Sequence, residues 1–294
     1  MTNKKTILDL IEERVVLLDG AMGSELIALG LPAGTPSESW NVTEPEKVEQ
    51  IHRNYYTAGS DAVFTNTFGG TRAKLDALDH GEHVEEYNAK AVAIARKACP
   101  EGKYVGGDIG PTGKFLPPVG KATLDDFTEN FSEQARILAE NGVDFFFIET
   151  MLDVKEAEAA VLAARRVANI PIFVSITYQK TKRGYYTVMG NSVEQCVKIL
   201  EKAGASVIGA NCTIGSDDMI DLIVQLREVT KLPISGKPNA GKPELRNGET
   251  FYPTTADDFA QDILQMVNAK ANVVGGCCGT NPQFISKIAD VLKG

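Results

Sequence analysis

The sequence lacks several features, and each absence narrows the range of possible functions. No apolar run in its 294 residues approaches the roughly 20 residues that cross a membrane, so no membrane-spanning helix is predicted. Lysine and arginine together number 30 against 39 aspartate and glutamate residues, which gives a net charge of −9. This balance argues against nonspecific binding to nucleic acid, because such binding requires a basic face.

Cysteine is scarce as well, with five residues in the whole chain. No apolar segment follows the lysines near the N-terminus, so the sequence predicts no secretory signal peptide. An odd number of cysteines without such a signal indicates free, reduced thiols rather than a disulfide framework, and it predicts a cytoplasmic protein.

The sequence also lacks a domain linker, a low-complexity stretch and a short-period repeat. Instead, apolar runs typical of buried strands alternate with helical segments in eight strand–helix units. The strands are predicted at Val15–Leu18, Ala62–Asn66, Tyr104–Gly107, Val143–Ile148, Pro171–Thr177, Val207–Cys212, Leu232–Gly236 and in the segment that ends at Cys277 and Cys278. The helices are predicted at Glu46–Ala58, Val84–Ala98, Asp125–Asn141, Val154–Ala168, Ser192–Ala203, Asp217–Val229, Thr255–Ala269 and Pro282–Leu292.

This alternation predicts an α/β fold, a (β/α)8 TIM barrel that forms a single domain over residues 1–294. A doubly wound open sheet is the alternative, but the GxGxxG fingerprint of that fold does not follow the first strand. In a barrel, the functional side chains lie at the C-terminal ends of the strands. The polar side chains predicted at these ends are Asp19, Asn66, Asp108, Glu149, Thr177, Cys212, Asn239, Cys277 and Cys278.

Three thiols are expected to meet at this rim, because Cys212 and the pair Cys277 and Cys278 end the sixth and the eighth strands, which lie close together around the rim. Three thiolates with an open fourth position are typical of a catalytic zinc site, whereas a structural zinc site usually has four protein ligands. Burial as a small hydrophobe is the alternative for a free cysteine. It is the interpretation for Cys99 and Cys196, and it is favoured for Cys212 taken alone. A disulfide between Cys277 and Cys278 is another alternative, but the flanking glycines at a strand end favour metal binding.

Acidic and amide side chains at the same rim are candidates for substrate binding. Asp19 and Glu149 suit a cationic amine, although helix capping or loop hydrogen bonding is the alternative, and Asp108 is a weaker candidate. The turn over residues 19–24 contains glycines that free backbone N–H groups to face an anion such as a carboxylate, unless it is a plain turn. Asn239 is either a turn residue or an oxygen ligand that reaches the metal when substrate is absent.

The predicted ligand set also indicates a class of reaction. Zinc held by three thiolates carries net negative charge, and a substrate thiol bound to it loses its proton. Such an electron-rich site is a poor Lewis acid, but it leaves the bound sulfur nucleophilic at neutral pH. The site therefore favours alkyl transfer onto a thiol over hydrolysis. The histidines His52, His80 and His83 lie in helical or helix-linker contexts and are interpreted as surface or core residues rather than ligands.

Six motifs spread over nearly the whole chain resemble those of the homocysteine S-methyltransferase family, and most closely the homocysteine-binding barrel of cobalamin-dependent methionine synthase. The combination of Asn-Cys with Gly-Gly-Cys-Cys-Gly is the most specific part, whereas the glycine loops alone are weak signals. A small departure is Ser24, where the family usually has threonine. The motifs are LDGAMG at 18–23, TNTF at 65–68, GDIGPTG at 107–113, NC at 211–212, PNAGKP at 238–243 and GGCCGT at 275–280.

The resemblance implies a zinc-dependent methyltransferase that activates homocysteine as a zinc thiolate and methylates it to methionine, a step of methionine biosynthesis. It implies that Cys212, Cys277 and Cys278 hold the zinc and that the homocysteine sulfur becomes the fourth ligand. The residues implied to lie around the substrate are Asp19 and Glu149 at its amine, Gly20, Ala21, Met22 and Gly23 with backbone amides at its carboxylate, and Asn239 near the zinc.

The resemblance leaves the methyl donor open. The sequence ends after the eighth predicted helix, without a folate-binding, corrinoid-binding or reactivation module. The close resemblance to the methionine synthase barrel implies a methyl-corrinoid (cobalamin) protein acting in trans as the donor. S-methylmethionine and betaine are alternative donors. Another thiol acceptor, or a role in a corrinoid demethylation system, is an alternative reaction. A non-catalytic zinc barrel ranks last, because no fourth cysteine or histidine is predicted at a strand end.

Overall fold

The computed structural model describes residues 5–246 and 249–293, and it confirms the predicted (β/α)8 barrel. The barrel strands are β1 (Val16–Leu17), β2 (Ala62–Phe64), β3 (Tyr104–Ile109), β4 (Phe145–Met151), β5 (Ile172–Ile176), β6 (Val207–Gly215), β7 (Ile234–Asn239) and β8 (Val273–Val274). Adjacent strands are parallel, and their order is β1-β8-β7-β6-β5-β4-β3-β2.

The first and second strands meet at Asp61, which immediately precedes β2. Its N–H donates to the Leu17 carbonyl oxygen at 2.6 Å, and its carboxylate accepts from the Leu17 N–H at 3.0 Å. Arg14 and Lys103 pair with the two carboxylate oxygens at 2.7 and 2.9 Å. This compensation matters because a buried carboxylate without cationic partners would be costly.

The part of the chain that the structure describes contains twelve α-helices. They are α1 (Ile7–Glu13), α2 (Met22–Ala28), α3 (Trp40–Thr43), α4 (Pro45–Ala58), α5 (Arg72–Asp76), α6 (Val84–Ala98), α7 (Leu124–Glu140), α8 (Val154–Val167), α9 (Val193–Ala203), α10 (Ser216–Val229), α11 (Ala256–Asn268) and α12 (Pro282–Lys293). All eight predicted helices are confirmed, as α4 and α6 to α12, with ends within one residue of the predicted ones. Among the described residues, no helix is both long and apolar enough to cross a membrane.

The short helices α1, α2, α3 and α5 were not predicted, and neither were two hairpins that extend from the barrel. These hairpins pair Gln179–Thr181 with Gly184–Tyr186 and Glu244–Arg246 with Glu249–Phe251. The segments are too short to carry a helical or strand periodicity that could be read from the sequence.

Local sequence signals set the ends of the helices, as α9 illustrates. Ser192 accepts from the Gln195 N–H at 3.3 Å, and the Gln195 side chain accepts from the Ser192 N–H at 2.9 Å, which forms a capping box. Gly204 ends the helix in the left-handed region with φ of 101°. The face turned to the barrel carries apolar residues at helical spacing, Val193, Cys196, Val197, Leu200 and Ala203.

The inside of the barrel is filled largely by aromatic rings. Phe64 and Phe147 stack with centroids 4.5 Å apart, and Phe145 and Phe173 lie 4.6 Å apart. Side chains alternate along a strand, so Phe146 of β4 faces outward into the layer between strands and helices. The interior is thus a packed apolar layer rather than a channel.

The same alternation carries polar side chains to the top of this layer. Glu149 lies two residues beyond Phe147 on β4, so it shares the inward face. Lys237 occupies an inward position of β7, and its Nζ atom lies 3.9 Å from the centroid of the Phe64 ring. The aromatic layer therefore forms an apolar floor beneath charged groups at the C-terminal end of the barrel.

Helix α1 covers the opposite end. Its side chains Ile7 and Ile11 are buried in the same cluster as the inward residues of the strands. The Tyr104 hydroxyl, at the start of β3, donates to the Lys5 carbonyl oxygen at 2.9 Å. These contacts hold the N-terminal segment against the bottom of the barrel.

One buried side chain makes the stability of this fold sensitive to pH. His52 on α4 is fully buried, and neither ring nitrogen has a hydrogen-bond partner among the described residues. Burial lowers the pKa of His52 to about 4, so the folded protein keeps the ring neutral where the unfolded chain binds a proton. Because the unfolded chain takes up a proton at His52 that the folded protein does not, we expect the free energy of unfolding to fall by about 1.4 kcal/mol per pH unit as the pH falls from about 6.5 to about 4.

The measurement is urea unfolding at several pH values for the wild type and for His52→Leu. The variant should show a shallower loss of stability over this range, and His83→Gln, which changes a partly exposed ring, should keep the wild-type slope. Identical slopes for His52→Leu and the wild type would show that His52 accepts a proton without cost.

Candidate metal and substrate site at the barrel mouth

Three thiols lie together at the C-terminal end of the barrel, as the sequence predicts. The Sγ atoms of Cys212, Cys277 and Cys278 all lie within 4.8 Å of one another, and those of Cys212 and Cys278 are 4.0 Å apart. All three cysteines are free. A Zn–S bond of about 2.3 Å in tetrahedral geometry places two sulfur atoms about 3.8 Å apart, so the cluster has nearly the dimensions of a three-thiolate metal site.

An irregular stretch of β6 positions Cys212. Asn211 of β6 pairs with Lys237 of β7, and Gly215 pairs with Asn239. Between these two pairs β6 has more residues than β7, so β6 bulges next to the thiols. Cys212 and Thr213 both lie in the left-handed region, with φ of 57° and 58°. This conformation is uncommon for residues other than glycine and costs about 1–3 kcal/mol per residue. Strain of this kind is often found at functional sites.

A tight turn after β8 positions the other two cysteines. The Cys277 N–H donates to the Pro238 carbonyl oxygen at 2.8 Å, and the Cys277 carbonyl oxygen accepts from the Thr280 hydroxyl at 2.7 Å. The glycines beside the pair are needed for space. A Cβ atom on Gly276 would lie 2.3 Å from the Thr280 hydroxyl oxygen, and one on Gly279 would lie 2.3 Å from the Tyr252 ring.

The three thiols influence one another's protonation. Contacts with Cys277 and Cys278 lower the pKa of the Cys212 thiol to about 3. The contact with Cys212 in turn raises the pKa of Cys278 to about 11 and that of Cys277 well above its ordinary value. The first proton therefore leaves readily, but three thiolates side by side need a cation to balance them. This donor set fits a soft metal ion.

An amide oxygen lies beside the same cluster. Asn239 ends β7 and is buried, and its side chain contacts the Cys212 thiol. Its Oδ1 atom has no hydrogen-bond partner among the described residues. A buried oxygen without a partner is unusual, and a metal ion at the thiols would give it one.

Glu149 is held by its neighbours rather than left to rotate. The Asn211 amide donates to Glu149 Oε2 at 2.5 Å and to the Thr150 hydroxyl at 2.7 Å, while its own oxygen accepts from the Thr150 N–H at 2.9 Å. The same amide nitrogen lies 3.9 Å from the Cys277 sulfur. Asn211 therefore connects the carboxylate with the thiol cluster.

Asp19 and Lys237 form a buried ion pair, each 3% exposed at the side chain, with Nζ 3.6 Å from Oδ1. The other Asp19 oxygen accepts from the Phe64 N–H at 2.7 Å. Burial raises the pKa of Asp19 to about 6, even though Lys237 acts to lower it. Burial acts to lower the pKa of Lys237, but Glu149 and Asp19 overcome this effect, so its pKa is raised and the ammonium keeps its proton.

A third carboxyl group, Asp108, completes the acidic side of the site. Burial, together with the nearby Glu149, raises the pKa of Asp108 well above its ordinary value. One oxygen of Asp108 and one of Asp19 lack hydrogen-bond partners among the described residues. These carboxyl groups and the three cysteines line one cavity of about 240 Å³, together with the turn over residues 20–24.

The predicted anion-binding turn is partly the start of helix α2. The Ala21 N–H is already used, since it donates to the Thr280 hydroxyl at 3.2 Å. The N–H groups of Met22, Gly23 and Ser24 lie in the first turn of α2, where the helix offers them no carbonyl oxygen as an acceptor. No side chain caps this end of the helix. The amides available to an anion thus lie slightly later in the chain than the sequence indicates.

Most of the predicted site residues line this cavity, and Lys237 lines it in addition to them. Thr177 lies outside the cavity lining and donates to the Met151 carbonyl oxygen at 3.3 Å. Lys237 is not among the predicted site residues, because the seventh strand is predicted to end at Gly236. The strand continues to Asn239, and its alternation would have placed the lysine inside the barrel.

Comparisons with known proteins identify the family of the chain. The sequence model of the family described as homocysteine S-methyltransferase matches residues 16–292. Methionine synthase from Mycobacterium tuberculosis (strain ATCC 25618 / H37Rv) is 33% identical over 301 residues, and that from Mycobacterium leprae (strain TN) is 32% identical over the same length. Each match covers 96% of this chain and 25% of the relative, so the chain spans about a quarter of these curated relatives.

Solved structures with the same fold include the homocysteine methyltransferase MmuM from Escherichia coli. Its metallated form superposes with a TM-score of 0.82 at 24% identity, covering 96% of this chain and 98% of that one. Its oxidized form gives the same TM-score, with 97% and 99% covered. At this identity the likeness shows the fold, while the family match covers nearly the whole chain. The protein therefore belongs to the homocysteine S-methyltransferase family.

Proposed function

We propose that this protein is a zinc-dependent S-methyltransferase that methylates homocysteine to methionine, with residues 1–294 acting as one homocysteine-binding domain. The observation that carries the proposal is the grouping of three thiols and three buried carboxyl groups around one cavity. Thiolates suit a soft metal ion that binds sulfur, and carboxylates suit an ammonium group. Homocysteine carries a sulfur and an ammonium group in one small molecule, so it matches both sides.

At the sulfur end, Cys212, Cys277 and Cys278 would hold the zinc ion, and Asn239 would offer its free oxygen when no substrate sulfur is present. Zinc, when bound, keeps the substrate thiol ionised at neutral pH, although a free thiol has a pKa of about 8.5. The substrate thiolate attacks the methyl carbon of the donor, so a sulfur–carbon bond forms as the bond from the methyl group to the donor breaks.

At the amine end, Asp19 and Glu149 would receive the substrate ammonium. Each carboxylate has one oxygen fixed by an amide donor, from the Phe64 backbone and from the Asn211 side chain. The second Asp19 oxygen has no hydrogen-bond partner among the described residues, so it can accept from the substrate. Charged hydrogen bonds of this kind are stronger than neutral ones, which makes the amine a strong anchor for the substrate.

At the carboxylate end, the first amides of α2 would bind the substrate. The sequence suggests Gly20 to Gly23, and the hydrogen bonding of the segment favours Met22 and Gly23, with Ser24 after them. An anion is stabilised at a helix N-terminus by free N–H groups and by the helix dipole. The three anchors together would orient the substrate sulfur toward the thiol cluster.

We propose a methyl-corrinoid carried by a separate protein as the methyl donor, and the cytoplasm as the place of reaction. The resemblance to the homocysteine-binding barrel of cobalamin-dependent methionine synthase supports the donor, and five free cysteines suit a reducing compartment. S-methylmethionine and betaine remain alternative donors.

The metal site is tested by Cys277→Ala. We expect this variant to lose stoichiometric zinc and, with it, methionine formation, because two thiolates are too few to hold the ion in this arrangement. Zinc per chain is measured by mass spectrometry on freshly reduced protein. The matched control is Cys99→Ala, which removes a partly buried thiol beyond the end of α6 and should keep both zinc and activity. Retention of zinc and activity in Cys277→Ala would contradict the assignment.

The amine contact is tested by Glu149→Gln. Loss of a charged hydrogen bond costs about 1.5–3 kcal/mol, so the KM for homocysteine should rise about tenfold to a hundredfold. The KM for 4-sulfanylbutanoate, which lacks the amine, should change little. The control is Glu228→Gln, the same substitution at an exposed position of α10. Equal effects on both thiols would argue that Glu149 does not touch the amine.

The donor is identified by supplying methylcobalamin, S-methylmethionine and betaine separately to the zinc-loaded protein with homocysteine. Product from methylcobalamin alone is the expected result, and it would direct a search for the corrinoid protein. Product from either of the other donors would replace the corrinoid in the proposal. Repeating each assay with other thiols shows whether homocysteine is the preferred acceptor.

A further inference from the structure

Lys237 is a charged side chain at the site to which the proposed function gives no role. It is 3% exposed, and its Nζ atom lies 3.6 Å from Asp19 Oδ1. Below it are aromatic rings, with the centroids of Phe64 and Phe147 at 3.9 and 5.2 Å. A lysine buried to this degree is rare unless it is paired, and Asp19 is the carboxylate that pairs with this one.

The inward face of β7 fixes the position of this lysine. Its backbone neighbour on β6 is Asn211, the residue that holds Glu149. Attraction to the ring faces holds the ammonium from below, and Asp19 pairs with it from the side. Lys237 therefore lies under the acidic side of the cavity, with Asp19 and Glu149 acting on it most strongly.

We propose that Lys237 is a positioning residue that keeps Asp19 charged and turned toward the cavity, so that an amine-bearing thiol is bound by two carboxylates instead of one. This inference rests on the proposed function, because it takes the amine of the substrate to lie at Asp19 and Glu149. Lys237 would thereby favour thiols that carry an amine, although it does not need to touch the substrate.

A cation at this place has two opposing effects. It repels the substrate ammonium, but it also stabilises the carboxylate that the ammonium needs. Asp19 is buried so deeply that it holds its charge at neutral pH only narrowly, even with the lysine beside it. Without Lys237, only the Phe64 N–H would act strongly against burial, so the pKa of Asp19 would rise further and its charged contact with the ammonium would weaken. The second effect therefore outweighs the repulsion, which the intervening carboxylates also reduce.

The experiment compares the binding of three thiols to zinc-loaded protein by calorimetry, in the wild type and in Lys237→Met. The thiols are homocysteine, 4-sulfanylbutanoate without the amine, and 3-aminopropane-1-thiol without the carboxylate. Loss of one charged contact should weaken binding of the two amine-bearing thiols about tenfold to a hundredfold. Binding of 4-sulfanylbutanoate should stay within about twofold of the wild type, and Lys237→Arg should recover part of the preference for the amine.

The control is Lys242→Met, the same substitution at an exposed lysine after the same strand. It should bind all three thiols as the wild type does. Equal weakening for all three thiols in Lys237→Met would indicate a structural role and overturn the proposal. Weakening confined to the two thiols with a carboxylate would also overturn it, because Lys237 would then contact that carboxylate directly.

Loss of the cation leaves three carboxyl groups close together, so folding is checked by circular dichroism and zinc content. If Lys237→Met does not fold, the comparison is made between Asp108→Asn and the double variant Asp108→Asn/Lys237→Met, which has one acidic group fewer. The same loss of amine preference is expected. Binding needs no methyl donor, so failure to form methionine would contradict the proposed function alone. Failure of the wild type to bind homocysteine would overturn both.

Discussion

The accumulation of negative charge in a buried place is the constraint on which the rest of this structure depends. Three thiols and three carboxyl groups share one cavity above a layer of phenylalanine rings. Such groups cannot all ionise without cations or amide donors to balance them. Lys237, the Phe64 N–H and the Asn211 amide provide part of that balance within the chain. They leave negative charge that the proposed zinc ion at the thiols and the proposed substrate ammonium at the carboxylates would balance.

Irregular backbone in two strands positions the side chains of this site. Thr150 and Cys212 both take left-handed conformations, with φ of 58° and 57°, where β4 and β6 fall out of register with their neighbours. Asn211 joins these places, since its side chain bonds both the backbone and the hydroxyl of Thr150. The two irregular segments therefore stabilise each other. Regular strands in their place would point these side chains in other directions.

The sequence predicted the barrel and its eight long helices, because apolar periodicity and caps such as Ser192 are local signals. It also placed the three cysteines together, since parallel strands end at the same rim. Lys237 and the role of Asn211 were missed for a different reason. A lysine after a glycine reads as a loop residue, and only the continued pairing of β7 with β6 turns it inward. Bulges, such as the one at Cys212, depend on contacts between strands that no single segment encodes.

The position of α1 has a consequence for the order of events. With Ile7 and Ile11 filling the bottom of the barrel, the proposed thiol acceptor and methyl donor would approach the site from the same side. A bulky donor that arrives first would block the entrance for the thiol, and methylated product could not leave beneath it. Under the proposed function, a shared entrance at this end would favour an ordered reaction, in which the acceptor enters first, the donor docks and departs, and the product leaves last.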